Sequence, residues 1–209
     1  RYSPKPWGLS IMPLIKKLVV FGVGLIGGSF ALALKLAGQV GQVVGVGRSQ
    51  ENLKTAQQLD IIDSYAADAA QAVYNADMVL LAMPVGQMPR VMQSIAPHLP
   101  THCIVSDAGS TKGDVVAYMQ QYLPAHLAYC VPAHPIAGAE QSGAAAAKVD
   151  LYQQKNIVLT PLPQTHADAI ATVQSAWQAC GGLVQTMTPQ AHDRIFAAVS
   201  HLPHVLAFA

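Results

Sequence analysis

The sequence predicts an α/β fold, a doubly wound and mostly parallel sheet, from three observations. Short apolar, β-rich runs alternate with helical patterns along most of the chain, as they do where helices cross over between parallel strands. The first such run leads directly into Gly22-Val23-Gly24-Leu25-Ile26-Gly27, a glycine-rich turn between a strand and a helix. Apolar residues make up 52% of the 209 residues, enough to bury the core of one ordinary domain. Together these predict a Rossmann-type domain.

The expected strands are 17–21, 42–47, 78–82, 103–106, 128–131, 157–160 and 183–186. The helices between them begin near Gly24, Gln50, Met88, Gly113 and Thr165, with a short one over 66–75. Ser49 is placed to cap the second helix, with Asn52 three residues on. Gly181-Gly182 closes the helix that carries Trp177. Pro189-Gln190-Ala191-His192-Asp193 opens a further helix. The chain then stops at Ala209 inside an apolar helical pattern, which predicts a helical domain of which only the start is present. Residues 1–11 carry two prolines and no periodicity, and are expected to be an extension preceding a natural start at Met12.

Composition excludes several classes of function. Charged residues are only 11%, against roughly 25% in a typical domain, so part of the surface is expected to be covered. The net charge of +1, with no basic run, gives no reason to expect nucleic acid or an anionic membrane as partner. No apolar run is long enough to span a bilayer. Cys103, Cys130 and Cys180 stand alone, which argues against a disulfide framework or a metal site and fits the cytoplasm.

The glycines of the turn have separate tasks in a dinucleotide site. Gly22 allows the tight turn, Gly24 lets the backbone approach a pyrophosphate, and Gly27 lets helix and strand pack closely. The helix N-terminus, with Val23, Leu25 and Ile26 around it, then offers N–H groups to the phosphates. The acid that reads an NAD ribose normally ends the second strand. Here that strand ends in Gly47-Arg48-Ser49, with no carboxylate before Glu51. A guanidinium at Arg48 and the Ser49 hydroxyl suit a 2′-phosphate, so NADP is the expected cofactor. Arg48 can equally be a solvated surface residue with the adenosine end read loosely, and Glu51 can swing in to serve NAD. Pro84 and Val85 follow the strand over 78–82 and are expected beside the nicotinamide ribose, although a plain loop accounts for them too.

Polar segments follow two neighbouring strands, at 106–112 and at 133–140. His134 can take a proton from a substrate hydroxyl as hydride leaves the same carbon, since an ordinary imidazole titrates near neutrality. Asp107 can equally cap its own turn. Lys112 can be a solvated charge, and Glu140 can meet substrate or a partner subunit. His201 and His204 are three apart and share a helix face, unless Pro203 interrupts it.

At this point the chain resembles the prephenate/arogenate dehydrogenase family, the TyrA-type cyclohexadienyl dehydrogenases. The resemblance rests on GVGLIGG at 22–28, DAGSTK at 107–112, HPIAGAEQSG at 134–143, PQAHD at 189–193 and SHLPH at 200–204, in family order. It implies oxidative decarboxylation of prephenate or arogenate, a small cyclohexadiene, in tyrosine biosynthesis. It implies that His134 is the base for the substrate hydroxyl and that Ser110 orients that hydroxyl. It implies that Ser200 and His204 lie on the substrate side, where Glu140 and His201 are further candidates, Glu140 against a partner-subunit contact and His201 against a packed helix face. It also implies a nucleotide-binding domain over 12–188 and, from 189 to 209, the first helix of a truncated all-α domain through which the full-length protein forms a homodimer. Ala139 stands where many members carry a hydroxyl residue. The competing readings are another NADP-dependent dehydrogenase on the same fold, disfavoured because no lysine follows Lys155, and a non-catalytic NADP-binding module.

Overall fold

The computed structural model describes residues 12–138 and 141–198. Strand β1 (Ile15–Phe21) runs into helix α1 (Leu25–Leu36), followed by β2 (Val40–Val46), α2 (Gln50–Gln58) and β3 (Ser64–Tyr65). Then come α3 (Ala69–Val73), β4 (Met78–Leu81), α4 (Met88–Ile95), β5 (Ile104–Asp107), α5 (Lys112–Tyr122) and β6 (Cys130–Val131). The described chain closes with β7 (Ala133–Pro135), β8 (Asn156–Leu159), α6 (Ala167–Ala179), β9 (Leu183–Thr186) and α7 (Pro189–Phe196).

Six strands form one parallel sheet in the order β3-β2-β1-β4-β5-β6. The order reverses between β1 and β4, the place where this architecture opens a crevice for ligands. Both faces are covered, as a parallel sheet requires. In β1, Leu18 and Val20 join the core shared with α1 and α6, whereas Val19 and Phe21 join the core shared with α4 and α5. Trp177 is fully buried in the first of these, its ring centroid 4.4 Å from Phe30 and 5.0 Å from Tyr152.

Two features depart from the expectation of one winding sheet. The strands expected at 157–160 and 183–186 belong to a separate three-stranded sheet of order β7-β8-β9. In it β8 pairs antiparallel with β7 and parallel with β9. The reason is Pro132, which separates β6 from β7 and ends pairing with the main sheet. Consequently 133–135 is an edge strand rather than a polar loop, and Pro135 is tolerated there because an edge has an unpaired side. The two-residue β3 is also absent from the sequence reading.

Local signals hold where expected. Ser49 caps α2 by accepting the Asn52 backbone N–H at 3.1 Å. Gly181, at φ +88°, ends α6 in a Schellman arrangement, with Gly182 N–H on the Trp177 carbonyl and Gly181 N–H on that of Gln178. Among the described residues no helix is long and apolar enough to cross a membrane, and no cluster of metal-ligating side chains occurs.

Candidate active site

The carboxyl ends of β1, β2 and β4 open on a cleft of about 1040 Å³. Its floor is the glycine turn. Gly22 has φ +92°, and a Cβ there would stand 2.6 Å from the Ala82 carbonyl oxygen. A Cβ on Gly27 would collide with the Gly22 carbonyl and stand 2.7 Å from Val20 Cγ1. Gly24 differs from both, because a Cβ there would meet nothing within 4 Å. Its backbone faces open space, and α1 begins there with no side-chain cap. The first N–H groups of the helix are therefore offered to an anion from outside.

Around this turn the predicted cofactor residues divide by how they contribute. Val23 and Leu25 bury their side chains, while the Ile26 carbonyl accepts the Tyr152 hydroxyl at 2.6 Å. Val23 and Leu25 can therefore meet a ligand only through backbone, whereas Ile26 is partly exposed. Arg48 and Ser49 are exposed on the cleft wall past the end of β2. Pro84 lines the opposite wall, and Val85 packs toward Gly109, where an added Cβ would come within 2.7 Å of its Cγ2. Sequence reasoning missed Arg90, which α4 brings to the same cleft, and Asn52. The Asn52 amide donates to the Val23 carbonyl at 2.7 Å and accepts from Ala144 N–H, tying the glycine turn to the loop after β7.

Beside the cleft, the turn after β5 and strand β7 are joined by a buried ion pair. Lys112 and Asp107 are both fully buried and in direct contact. The Lys112 ammonium also donates to the Ala133 carbonyl at 2.6 Å. Asp107 accepts from Gly109 N–H at 2.7 Å and Ala133 N–H at 3.0 Å. So Asp107 caps its turn and Lys112 is internal rather than solvated. Burial lowers the Lys112 pKa, opposed by the Asp107 carboxylate. These contacts tie the turn that carries Ser110, which is exposed, to the strand that carries His134, which is half-buried.

His134 has a partner that no sequence spacing announced. Its Nδ1 lies 2.8 Å from Nε2 of His192, and Nδ1 of His192 lies 2.7 Å from an Asp193 oxygen. Asp193 also accepts from the backbone N–H groups of Lys112 and Gly113, each at 2.8 Å. The Phe196 ring packs against both imidazoles, with centroids 5.3 and 4.6 Å away. Burial first, then the nearby Lys112 ammonium and His192, push the His134 pKa down to about 3. Burial also lowers that of His192, against the pull of Asp193. Burial would raise the Asp193 carboxyl, but its two backbone donors and His192 hold it below the ordinary carboxylate value. Both histidines are thus neutral and Asp193 ionised at neutral pH. Glu140, Ser200, His201 and His204 lie outside the described residues, as do Ala139 and residues 1–11.

A family model described as "Prephenate dehydrogenase, nucleotide-binding domain" matches residues 30–186, three-quarters of the chain. The chain belongs to the prephenate dehydrogenase family. The cyclohexadienyl dehydrogenase of Zymomonas mobilis is 38% identical over 197 residues, covering 94% of this chain and 67% of that protein. The prephenate dehydrogenase of Bacillus subtilis is 34% identical over 191 residues, 91% of this chain and 51% of that protein. The chain therefore spans between half and two-thirds of these two relatives. A solved prephenate dehydrogenase from Aquifex aeolicus, in complex with hydroxyphenyl propionate and NAD+, superimposes with a TM-score of 0.86 at 32% identity, covering 98% of this chain and 68% of that one. The residues matched by the family model run from within α1 to the end of β9, and β1 and the glycine turn precede them.

Proposed function

We propose that the protein oxidatively decarboxylates prephenate or arogenate, giving 4-hydroxyphenylpyruvate or tyrosine, in tyrosine biosynthesis. The observation that carries this reading is a neutral His134 in the strand that the buried Asp107–Lys112 pair ties, through Ala133, to the turn carrying Ser110. Cofactor binding alone requires none of those groups, and family membership supplies the substrate class.

The open backbone at Gly24 and the uncapped start of α1 fit a pyrophosphate, and the cleft volume of about 1040 Å³ fits a dinucleotide. Arg48 and Ser49 would hold the adenosine end, with Arg48 favouring the 2′-phosphate of NADP over NAD. Pro84 and Val85 would border the nicotinamide ribose. The bound nicotinamide supplies the hydride acceptor. His134 accepts the proton of the C4 hydroxyl as hydride leaves C4, Ser110 orients that hydroxyl, and the C1 carboxylate departs as carbon dioxide while the ring becomes aromatic. Glu140, Ser200, His201 and His204 are assigned to the substrate side.

In the same reading, residues from Pro189 onward open a helical domain that pairs two subunits into a homodimer, and the protein works in the cytoplasm. The test is reduction of NADP by the full-length protein with each substrate, for the parent and for His134→Ala. The reading expects turnover in the parent, none in the variant, and equal NADPH affinity in both. Turnover retained in His134→Ala refutes the assignment.

A further inference from the structure

Behind His134 stands a hydrogen-bonded series that the proposed reaction has not yet used. Its direction follows from its ends. An ionised Asp193 carboxylate can only accept, so the Nδ1 of His192, 2.7 Å away, donates. In a neutral His192 the Nε2 is then a bare lone pair. His134 Nδ1, 2.8 Å from it, must therefore carry the proton and donate. A neutral His134 is left with an unprotonated Nε2, the atom not engaged by His192. Asp193 is itself aimed by the Lys112 and Gly113 N–H groups at the first turn of α5.

We propose that His192 and Asp193 are positioning residues that act as a proton relay behind His134. This rests on the reading of His134 as the base. When His134 Nε2 gains the substrate proton, its Nδ1 proton passes to His192 Nε2. His192 keeps its own Nδ1 proton on the Asp193 carboxylate. No electron moves along the series, and the positive charge ends on the ring that is hydrogen-bonded to the Asp193 carboxylate. Lys112 opposes protonation of both imidazoles, but at His192 it is countered by Asp193 and Asp107, so the relay passes the proton to the better-compensated ring. The charged and titratable groups facing the two imidazoles are Lys112 of α5, Asp107 at the end of β5 and Asp193 of α7.

Kinetics of the full-length protein test this. In His192→Ala, kcat should fall about 100-fold, the low end for a positioned acid–base group, with the KM for NADP unchanged. Added imidazole should restore part of the loss, which a merely structural cavity would not show. In Asp193→Asn the hydrogen bond survives without the charge. The acid limb of the kcat profile should then move to lower pH, since a lost carboxylate makes both imidazoles harder to protonate. A His192→Ala kcat within about threefold of the parent overturns the relay. An independent reading comes from ¹⁵N NMR of the parent at neutral pH. It should show both rings protonated at Nδ1, and a proton on Nε2 of His134 overturns the relay even if His192→Ala fails to fold. A parent inactive on both substrates refutes the proposed reaction instead, and the NMR result stands apart from it.

Discussion

Gly24 and Gly27 belong to one turn, yet replacing each with alanine should do opposite things. At Gly27 the new Cβ would press on the Gly22 carbonyl, stand 2.7 Å from Val20 Cγ1 and 3.0 Å from Ala82 Cβ. None of these is the far end of a flexible chain, so helix α1 must move away from the sheet. Overpacking of this kind costs about 1–3 kcal/mol. Alanine returns up to about 1 kcal/mol of helix propensity over glycine. With that gain returned in full, the net of up to about 2 kcal/mol corresponds to a fall in Tm of up to roughly 8 °C for a chain of this size. At Gly24 the Cβ meets nothing, and only the weaker N-cap preference of alanine counts, about 0.5 kcal/mol. Its Tm should drop by no more than roughly 2 °C. That Cβ, however, would occupy the space proposed for the pyrophosphate, and NADPH affinity should fall about tenfold or more, equal to about 1.4 kcal/mol. Thermal unfolding by circular dichroism and a fluorescence titration with NADPH read the two effects separately. A Gly24→Ala protein that binds NADPH like the parent would refute the placement of the phosphates.

Three further outcomes follow from the same structure. Arg48→Ala should weaken NADP binding about 10- to 100-fold, as loss of charge-assisted hydrogen bonds does, and leave NAD binding unchanged; calorimetry with both dinucleotides checks this, and equal losses for both would contradict the role of Arg48. Lys112→Met leaves the buried Asp107 carboxylate without its cation and should cost about 3–5 kcal/mol in urea unfolding; an unchanged midpoint would contradict the buried pair. His134, whose ordinary value is 6.5, is depressed to about 3 by burial, so below pH 6.5 the unfolded chain takes up a proton that the folded one refuses. Stability should therefore decline as pH falls from about 6.5 toward 3, with His126 and His192, both lowered by burial, adding in the same direction; a Tm that rises over that range would contradict it.

The first half of the fold is legible because each signal there is local. An apolar strand, a glycine turn and the Ser49 cap follow one another within 35 residues of Ile15. Gly181-Gly182 is legible for the same reason, since a helix end needs only its own last turn. The separation of β7–β9 into a second sheet is not local. It depends on Pro132 breaking the chain away from β6 and on Ala133-His134-Pro135 pairing with residues 157–159. Three residues ending in proline show no alternation to mark them as a strand. The site divides likewise. Gly22, Gly24, Arg48 and His134 could be singled out from strand ends and residue chemistry. The partner of His134 lies 58 residues away, and His192 next to Asp193 at the start of a helix reads as an ordinary polar turn. Lys112 gave no sign of burial, because only the fold brings Asp107 and the Ala133 carbonyl around its ammonium.

The central claim is that this cleft and His134 serve oxidation of a cyclohexadiene. The most direct measurement is nicotinamide reduction by the full-length protein, with prephenate and arogenate each offered with NADP and with NAD. Reduction with at least one substrate, faster with NADP than with NAD, is the predicted result. A folded protein that binds NADPH but reduces no cofactor with either substrate would contradict the account.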